Sequence, residues 1–287
     1  MKTFTINHLE RLCGTKKHTI RIWEKRYDLL HPNRNINSYR HYCIDDVERI
    51  MYVSFLIRRG MKVSQISTLN NIELKELSWK LRDSASLCRF ITIQLVTHYY
   101  RSEIEQFQLL LDKSIKEVGF EESVDNLIVP FLYITSLVEY RENAPEVHFA
   151  VTTIRQKLLV AIDQTVAAQN NTKKAVLFLP EDEHFDLILL FVYYTLKSGG
   201  YTVYYLGTNV SEKSLEKVLI SKQPDKVLTY SSPAKSNNFV NIALFINNHF
   251  PHLDFTIVSS TSPVNTGVSR VNYTHFLELR QKQLNFV

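Results

Sequence analysis

The pattern of hydrophobic and polar residues changes once along the chain, near residue 173. Before that point, apolar residues recur every three to four positions, which is the spacing of amphipathic helices. After it, short apolar runs such as AVLFLP alternate with helical segments. Buried parallel strands joined by helices have this pattern, so residues 173–287 are predicted to form a doubly wound α/β domain.

Four short helices are predicted at the start of the chain, with a turn-rich break after the second. The first covers residues 4–13, and the second begins at Lys16 or Lys17. Pro32 lacks an N–H and restricts His31 before it, so the second helix must end there. The last two helices are predicted from Ile44 to Gly60 and near 63–70.

Residues 84–168 keep the helical spacing with few breaks. Breaks are expected near Arg101, at Gly119 and at 141–145. Four helices of this length make a small four-helix bundle. By composition alone, such a bundle is a scaffold or a dimerisation unit.

The remainder predicts four or five β–α units. The predicted strands cover 175–180, 202–207, 226–231 and 254–260, and the predicted helices cover 186–197, 211–222, 237–248 and 274–282. Sheets of this kind bind ligands beyond the carboxyl ends of their strands. Those ends lie at 180–186, 207–210, 231–234 and 259–263.

Composition excludes several classes of protein. Apolar residues make up 45% and charged residues 22% of the 287 positions, as in ordinary globular proteins. We find no apolar run long enough to span a membrane and no signal peptide at the start, so the expected location is the cytoplasm. The three cysteines are scattered without CxxC spacing, which excludes a cysteine-rich zinc site.

The net charge of +5 is distributed unevenly. Residues 1–82 contain 16 Lys and Arg against 8 Asp and Glu, whereas the remaining 205 residues contain 18 against 21. The first part is therefore basic and the rest slightly acidic. A basic segment of this kind favours binding to a nucleic acid duplex.

The basic residues concentrate in 15–42, a basic helix followed by a turn and an alternating basic, aromatic ribbon. A helix fits the major groove, and a ribbon can follow the neighbouring phosphates. Ile20, Trp23 and Tyr27 share the opposite face of the helix, so Trp23 is predicted to belong to the core. A solvated basic surface without a DNA partner is the alternative.

These residues also carry a family resemblance. FTINHLERLCG, HTIRIWEKRYDLLHPNR, YRHY and DDVERIMYVSFLIRRGMKVSQISTL, in this order, resemble the winged helix-turn-helix of the MerR family of transcription regulators. The resemblance covers residues 4–69. It implies a winged helix-turn-helix domain at 1–80, with Arg40 and Tyr42 where the wing meets phosphate. The predicted DNA contacts are Lys16, Lys17, His18, Arg21, Lys25 and Arg26 from the helix, and Arg34, Tyr39, Arg40 and Tyr42 from the wing.

The order of the three domains resembles the cobalamin-dependent MerR regulators of the CarH and LitR type. This resemblance implies a bundle at 84–168 that caps a corrinoid, and a Rossmann-like (flavodoxin-like) cobalamin-binding domain at 173–287. The loop DEHFDL matches the family's D/E-x-H-x-x-G pattern up to its last position. His184 then corresponds to the cobalt ligand, and Asp182 to the acceptor for its other ring nitrogen. Ser231 matches a serine at the end of the third strand, and His148 the histidine of the bundle.

Several positions depart from this pattern. Leu187 replaces the glycine after the histidine, and Ser259 and Ser260 replace a glycine pair; Pro233 follows Ser231. At position 187, a leucine side chain would occupy space that the nucleotide tail of the corrinoid needs. The bundle lacks its tryptophan, and Leu137 or Val138 stands in its place. Either His184 ligates cobalt and the bundle senses the upper ligand, or the domain keeps the fold and has lost the cofactor.

Three functions are compatible with the sequence. The first is a DNA-binding regulator, dimeric or tetrameric, that acts on double-stranded promoter DNA and whose C-terminal half controls oligomerisation with or without cobalamin. The second is a corrinoid-carrying module of a methyltransferase or mutase. The third is a cofactor-free regulator switched by a protein partner such as an antirepressor. We find no P-loop, nucleophile elbow or HExxH motif, so the protein is not expected to be an enzyme.

Overall fold

The structure is a computed structural model that describes residues 3–34, 39–135, 144–166, 173–231, 239–259, 268, 271–275 and 278. Contacts divide the chain into two compact units, Met1–Leu137 and Val138–Val287. The predicted architecture is confirmed: a helix-turn-helix, further bundle helices and a parallel sheet with helices. The predicted domain bounds 1–80, 84–168 and 173–287 remain a prediction.

The first unit begins with two helices joined by a tight turn. Helix α1 (Ile6–Cys13) is capped by the Thr5 side chain, which accepts the backbone N–H of His8 at 3.4 Å. It ends at Gly14, whose φ of 66° suits a residue without Cβ. Helix α2 (Lys17–Tyr27) begins where predicted. It ends before Pro32, because Asp28 already adopts the left-handed conformation.

A two-stranded ribbon follows and leads into the longest helix of the domain. Strands β1 (Asn33–Arg34) and β2 (Arg40–His41) pair antiparallel, as the alternating pattern predicts. Helix α3 (Ile44–Arg58) then begins with Asp46 accepting the N–H of Cys43 at 3.0 Å. The predicted helix near 63–70 is shorter, as α4 (Val63–Ile66), and α5 (Asn71–Leu81) was not predicted.

One arginine connects several of these segments. The Arg49 guanidinium donates to the carbonyl oxygens of Leu29, Ser67 and Leu69 at 2.8, 2.7 and 2.6 Å. These carbonyls follow α2 and α4, where no helical N–H satisfies them. Arg49 therefore fixes both turns against α3.

The rest of the first unit is helical. It contains α6 (Ser84–Tyr100), α7 (Ile104–Val118), α8 (Phe120–Ser123), a π-helical turn (Val124–Ile128) and α9 (Val129–Ile134). The predicted breaks at Arg101 and Gly119 are confirmed. Arg101 donates to Asp45 and Glu48 at 2.7 Å each and so holds the end of α6 against α3.

The second unit begins with the fourth predicted bundle helix, α10 (Pro145–Gln164). It packs against α11 of the α/β fold. The other elements are β3 (Lys174–Phe178), α11 (Leu187–Ser198), β4 (Thr202–Tyr205), α12 (Glu212–Lys222), β5 (Lys226–Ser231), α13 (Phe239–His249), β6 (Asp254–Ser259) and β7 (Val271–His275). All strands are parallel, in the order β4-β3-β5-β6-β7. This is the flavodoxin-like order.

The start of one predicted helix in this unit was wrong. Thr274 and His275, expected at the start of a helix at 274–282, pair with Val258 and Ser259 in the sheet. Of the rest of that segment, only Glu278 lies within the described residues. A cluster of fully buried apolar side chains, including Val176, Phe178 and Val227, forms the core beside the sheet. Among the helices described in both units, none is long and apolar enough to cross a membrane.

Candidate DNA interface and effector domain

Helix α2 has one buried face and one cationic face. Ile20 is completely buried, and Trp23 and Tyr27 are half-buried beside it. The predicted contacts of this helix are all exposed: Lys16, Lys17, His18, Arg21, Lys25 and Arg26. The Thr15 and Ser54 hydroxyls lie 2.9 Å apart and fix the start of α2 on α3. The sequence prediction for the two faces agrees with this arrangement.

Glu24 joins the wing to α2. Its carboxylate accepts one hydrogen bond from Arg40 Nε at 2.7 Å and another from the Tyr42 hydroxyl at 2.8 Å. Burial, followed by the bond to Glu24, raises the pKa of Tyr42 well above its usual range. The hydrogen bond to Glu24 and its charge likewise raise the pKa of Arg40. The position of β2 is thus coupled to that of α2 through a negative charge.

Sequence reasoning missed Glu24, although it is the only acidic residue between Lys16 and Tyr27. A lone carboxylate in a basic helix indicates an intramolecular partner, because elsewhere on that surface it would oppose a phosphate. The partners come from a segment 16 and 18 residues away. Spacing along one helix could not identify them.

The predicted contact at Tyr42 requires correction. Tyr42 is 1% exposed, and its backbone pairs with Phe4, with both N–H···O distances at 2.9 Å. Tyr42 stabilises the wing from its buried side, where its hydroxyl bonds to Glu24, and it cannot present that hydroxyl to phosphate. Tyr39 is 69% exposed, Arg40 is half-buried, and the backbone of Arg34 belongs to β1.

In the second unit, His184 is exposed in the loop between β3 and α11, at the carboxyl edge of the sheet. Asp182 precedes it with a φ of 67° and donates its N–H to Asn209 Oδ1 at 3.2 Å. The buried Asp186 follows at the N-terminus of α11. This loop carries the two residues that the sequence assigned to a cobalt site.

Asp186 is held by two side chains from other elements, which sequence reasoning also missed. The Tyr205 hydroxyl donates to Asp186 Oδ2 at 2.7 Å, and Arg155 of α10 forms an ion pair with Asp186 Oδ1. Burial, and then the charge of Asp186, raise the pKa of Tyr205 well above its usual range. Together, Asp186, Tyr205 and Arg155 fix the end of the loop against β4 and α10.

Comparison with known proteins identifies the first domain. A model of the MerR HTH family regulatory proteins matches residues 4–71. Residues 4–71 are a MerR-type helix-turn-helix domain. This MerR-type domain contains the cationic face of α2 and the wing.

Relatives extend the similarity beyond the MerR-type domain. The chain is 27% identical to the HTH-type transcriptional repressor CarA of Myxococcus xanthus, over 78% of this chain and 75% of the relative. It is 23% identical to the repressor CarH of the same organism, over 79% and 78% of the two chains. The HTH-type transcriptional regulator MlrA of Salmonella typhimurium is 25% identical over 45% of this chain and 51% of its own. The protein is a MerR-type transcription regulator homologous to CarA and CarH.

Among solved structures, the fold is similar to a monomethylamine corrinoid protein of Methanosarcina barkeri. The TM-score is 0.55 and the identity 11%, over 69% of this chain and 98% of the other. At that identity the likeness concerns the fold alone.

The residues at the carboxyl edge fit a corrinoid only in part. His184 is exposed and could present an imidazole to cobalt. Leu187, however, is completely buried, and Ser231 and Ser259 are 1% and 3% exposed. Phe185 is also buried, with its ring centroid 6.4 Å from that of Tyr230. Of these residues, Leu187 and Ser259 carry side chains at positions where the pattern of the MerR-type cobalamin proteins has glycine.

The predicted role of His148 stays a prediction. His148 is exposed in the first turns of α10. Leu137, Val138, Pro233 and Ser260 lie outside the described residues. Within the described ranges, no group of three or more His, Cys, Asp or Glu side chains could hold a metal ion.

Proposed function

We propose that this MerR-type regulator binds promoter DNA as a homo-oligomer, with α2 in the major groove and the wing along the flanking phosphates. The cationic face of α2 is the observation that carries the proposal. Its residues are exposed while Ile20 on the other face is buried, so the charge is available to a partner. A regular backbone of phosphates is the partner that a row of cations fits best.

The residues divide into two roles. Lys16, Lys17, His18 and Arg21 at the start of α2 lie where side chains reach base edges and the nearest phosphates. Lys25 and Arg26 at its other end, together with Arg34, Tyr39 and Arg40 of the wing, are proposed to contact the backbone. Arg40 can do so while bonded to Glu24, because its side chain remains 37% exposed.

Titration of a labelled DNA fragment from the protein's own upstream region tests this role. We expect binding to weaken steeply as salt rises, since each neutralised phosphate releases counterions. Arg21→Ala should weaken binding by about tenfold, the effect of one good contact. Lys80→Ala removes the same charge from an exposed position on α5 and should change little. Binding without salt dependence, or equal losses in both variants, would refute the interface.

For the second unit, we propose an assembly role without retained cobalamin. The burial of Leu187 supports this, because a leucine side chain stands where the nucleotide tail of a corrinoid would need space. A methyltransferase-type carrier is the alternative, favoured by the exposed His184. Incubation with cobalamin and gel filtration should leave the protein colourless. A retained corrinoid whose spectrum changed in His184→Ala would contradict the absence of cobalamin, and methyl transfer from that corrinoid would in addition be needed to establish a carrier.

The oligomeric state is proposed to reside in the second unit. CarA and CarH are named repressors, and we extend repression to this chain. A dimer would hold two MerR-type domains and a tetramer four, so either could bind the two half-sites of a palindrome. Light scattering of the full chain, alone and on the DNA fragment, measures the number of copies. A chain that stays monomeric in both conditions would contradict this part of the proposal.

A protein antirepressor remains a candidate partner, which a pull-down from the host would test.

A further inference from the structure

A cavity of about 320 Å³ lies within the first unit, between the MerR-type domain and the bundle helices. One wall comes from α1 and α3, including Met51 and Phe55. The facing wall comes from α6 and from the π-helical turn with α9, including Ile93 and Pro130. The volume is at the lower end of the range for sites that bind small molecules.

The walls favour an apolar ligand body. Aliphatic and aromatic side chains make up half of the lining, and two of the polar side chains already have partners. The Thr92 hydroxyl donates to the carbonyl oxygen of Cys88 at 2.8 Å, and Ser54 pairs with Thr15 at 2.9 Å. A ligand rich in hydroxyl groups would find few unsatisfied groups in these walls.

The shape of the facing wall depends on the backbone of the π-helical turn and of α9. The π-helical turn at Val124–Ile128 ends two residues before Pro130, which has no N–H for the carbonyl of Asn126. Such turns in otherwise α-helical segments frequently occur at functional sites. Here the turn brings Asn126 to the cavity, where its amide donates to Glu122 at 2.7 Å.

The Arg89 guanidinium lies at the exposed rim of the cavity. Arg89 lines the cavity from α6, and none of the described residues forms a hydrogen bond or ion pair with its side chain. Burial, and then repulsion from the positive charge of Arg58, lower the pKa of Arg89. Arg58 is held by the carbonyl oxygens of Cys13 and Gly14 at 3.1 and 3.3 Å. An anion beside Arg89 would relieve this repulsion.

We propose that the cavity binds a small monocarboxylate with an aliphatic or aromatic body. The body lies between Met51, Phe55 and Ile93, and the carboxylate bonds to Arg89. The site is separate from both the DNA interface and the carboxyl edge of the sheet. Because the ligand contacts both walls, it stabilises the packing of α6 against α3 and raises the melting temperature.

Calorimetric titration of the full chain with octanoate, in the absence of DNA, tests the site. We expect saturable binding of one octanoate per chain, and about tenfold weaker binding in Arg89→Gln. Lys80→Gln is the matched control, since it removes a cation from an exposed position outside the cavity. 1-Octanol has the same chain without the charge, so its affinity should be equal in wild type and Arg89→Gln.

A space-filling variant provides a second, independent readout. Thr92→Leu places a larger side chain in the cavity and so fills part of its space. It also removes a hydroxyl that bonds only within its own helix. It should abolish the rise in melting temperature with octanoate while the unliganded protein remains folded. The proposal is overturned if octanoate gives no saturable binding up to about 1 mM. It is also overturned if Arg89→Gln and the wild type bind octanoate equally well.

Discussion

Removal of the Glu24 carboxylate should destabilise the wing. In Glu24→Ala, the buried Tyr42 hydroxyl loses its acceptor, which costs about 1–3 kcal/mol. The Arg40 ion pair is more than a third exposed, so its loss adds only about 0.5–1 kcal/mol after solvent screening. The first unit should therefore lose about 2–4 kcal/mol. Glu24→Gln keeps an oxygen for Tyr42 and should cost about 1 kcal/mol.

Urea unfolding followed by tryptophan fluorescence measures these losses. The sequence contains two tryptophans, Trp23 and Trp79, and both belong to the first unit. The signal therefore reports the unit that carries the mutation. Tyr42→Phe removes the donor from the same bond, so the double variant Glu24→Ala, Tyr42→Phe should cost less than the sum of the single changes.

The same variant distinguishes two effects on DNA binding. By charge alone, removal of a carboxylate from the cationic surface should strengthen binding to phosphate. If Glu24 fixes the wing, Glu24→Ala should instead weaken binding by about tenfold, because the Arg40 contact loses its position. Glu76→Ala removes an exposed carboxylate from α5 and serves as the control. A folded Glu24→Ala protein that bound DNA as tightly as the wild type, or more tightly, would refute the reasoning.

Three further changes test the rest of the structure. Arg155→Met leaves the buried Asp186 carboxylate without its cation and should cost about 2–4 kcal/mol in denaturant unfolding; no loss would show that the ion pair is unimportant. The raised pKa of Tyr205 means that folding favours its neutral form, so its stabilisation is complete below pH 10.0 and decreases above it. Melting temperatures of Tyr205→Phe should fall less steeply above that pH, and parallel curves would contradict this. Gly14→Ala should cost about 1–2 kcal/mol, because φ is 66° and a Cβ would meet Arg58 at 2.6 Å; an unchanged unfolding midpoint would argue against strain.

Local patterns were sufficient where the structure depends on neighbouring residues. The exposed cations of α2, its start at Lys17 and the alternating strands and helices all follow from periodicities of 3.6 and 2. Helix α5 also had a local signal, because Asn70 and Glu73 form a capping box. The regular spacing of Val63, Ile66 and Leu69 led instead to a single helix across the turn before Asn70.

Long-range contacts account for what the sequence could not predict. Tyr42 alternates with charged residues like an exposed ribbon residue, yet it is buried because its backbone pairs with Phe4. Thr274 was expected to begin a helix but pairs with Val258 of β6. The environment in a sheet depends on strands that are distant in sequence, and it overrides local preference.

The buried Leu187 bears on whether the α/β fold needs a ligand for stability. A glycine at the start of α11 would leave space that a bound group must fill, whereas a fully buried leucine stabilises by about 1.5–3 kcal/mol. The bonds of Asp186 to Arg155 and Tyr205 fix the same loop without any cofactor. The loop with His184 is therefore supported by the protein itself. The α/β fold is therefore compatible with the proposed absence of cobalamin, because these contacts come from the protein alone.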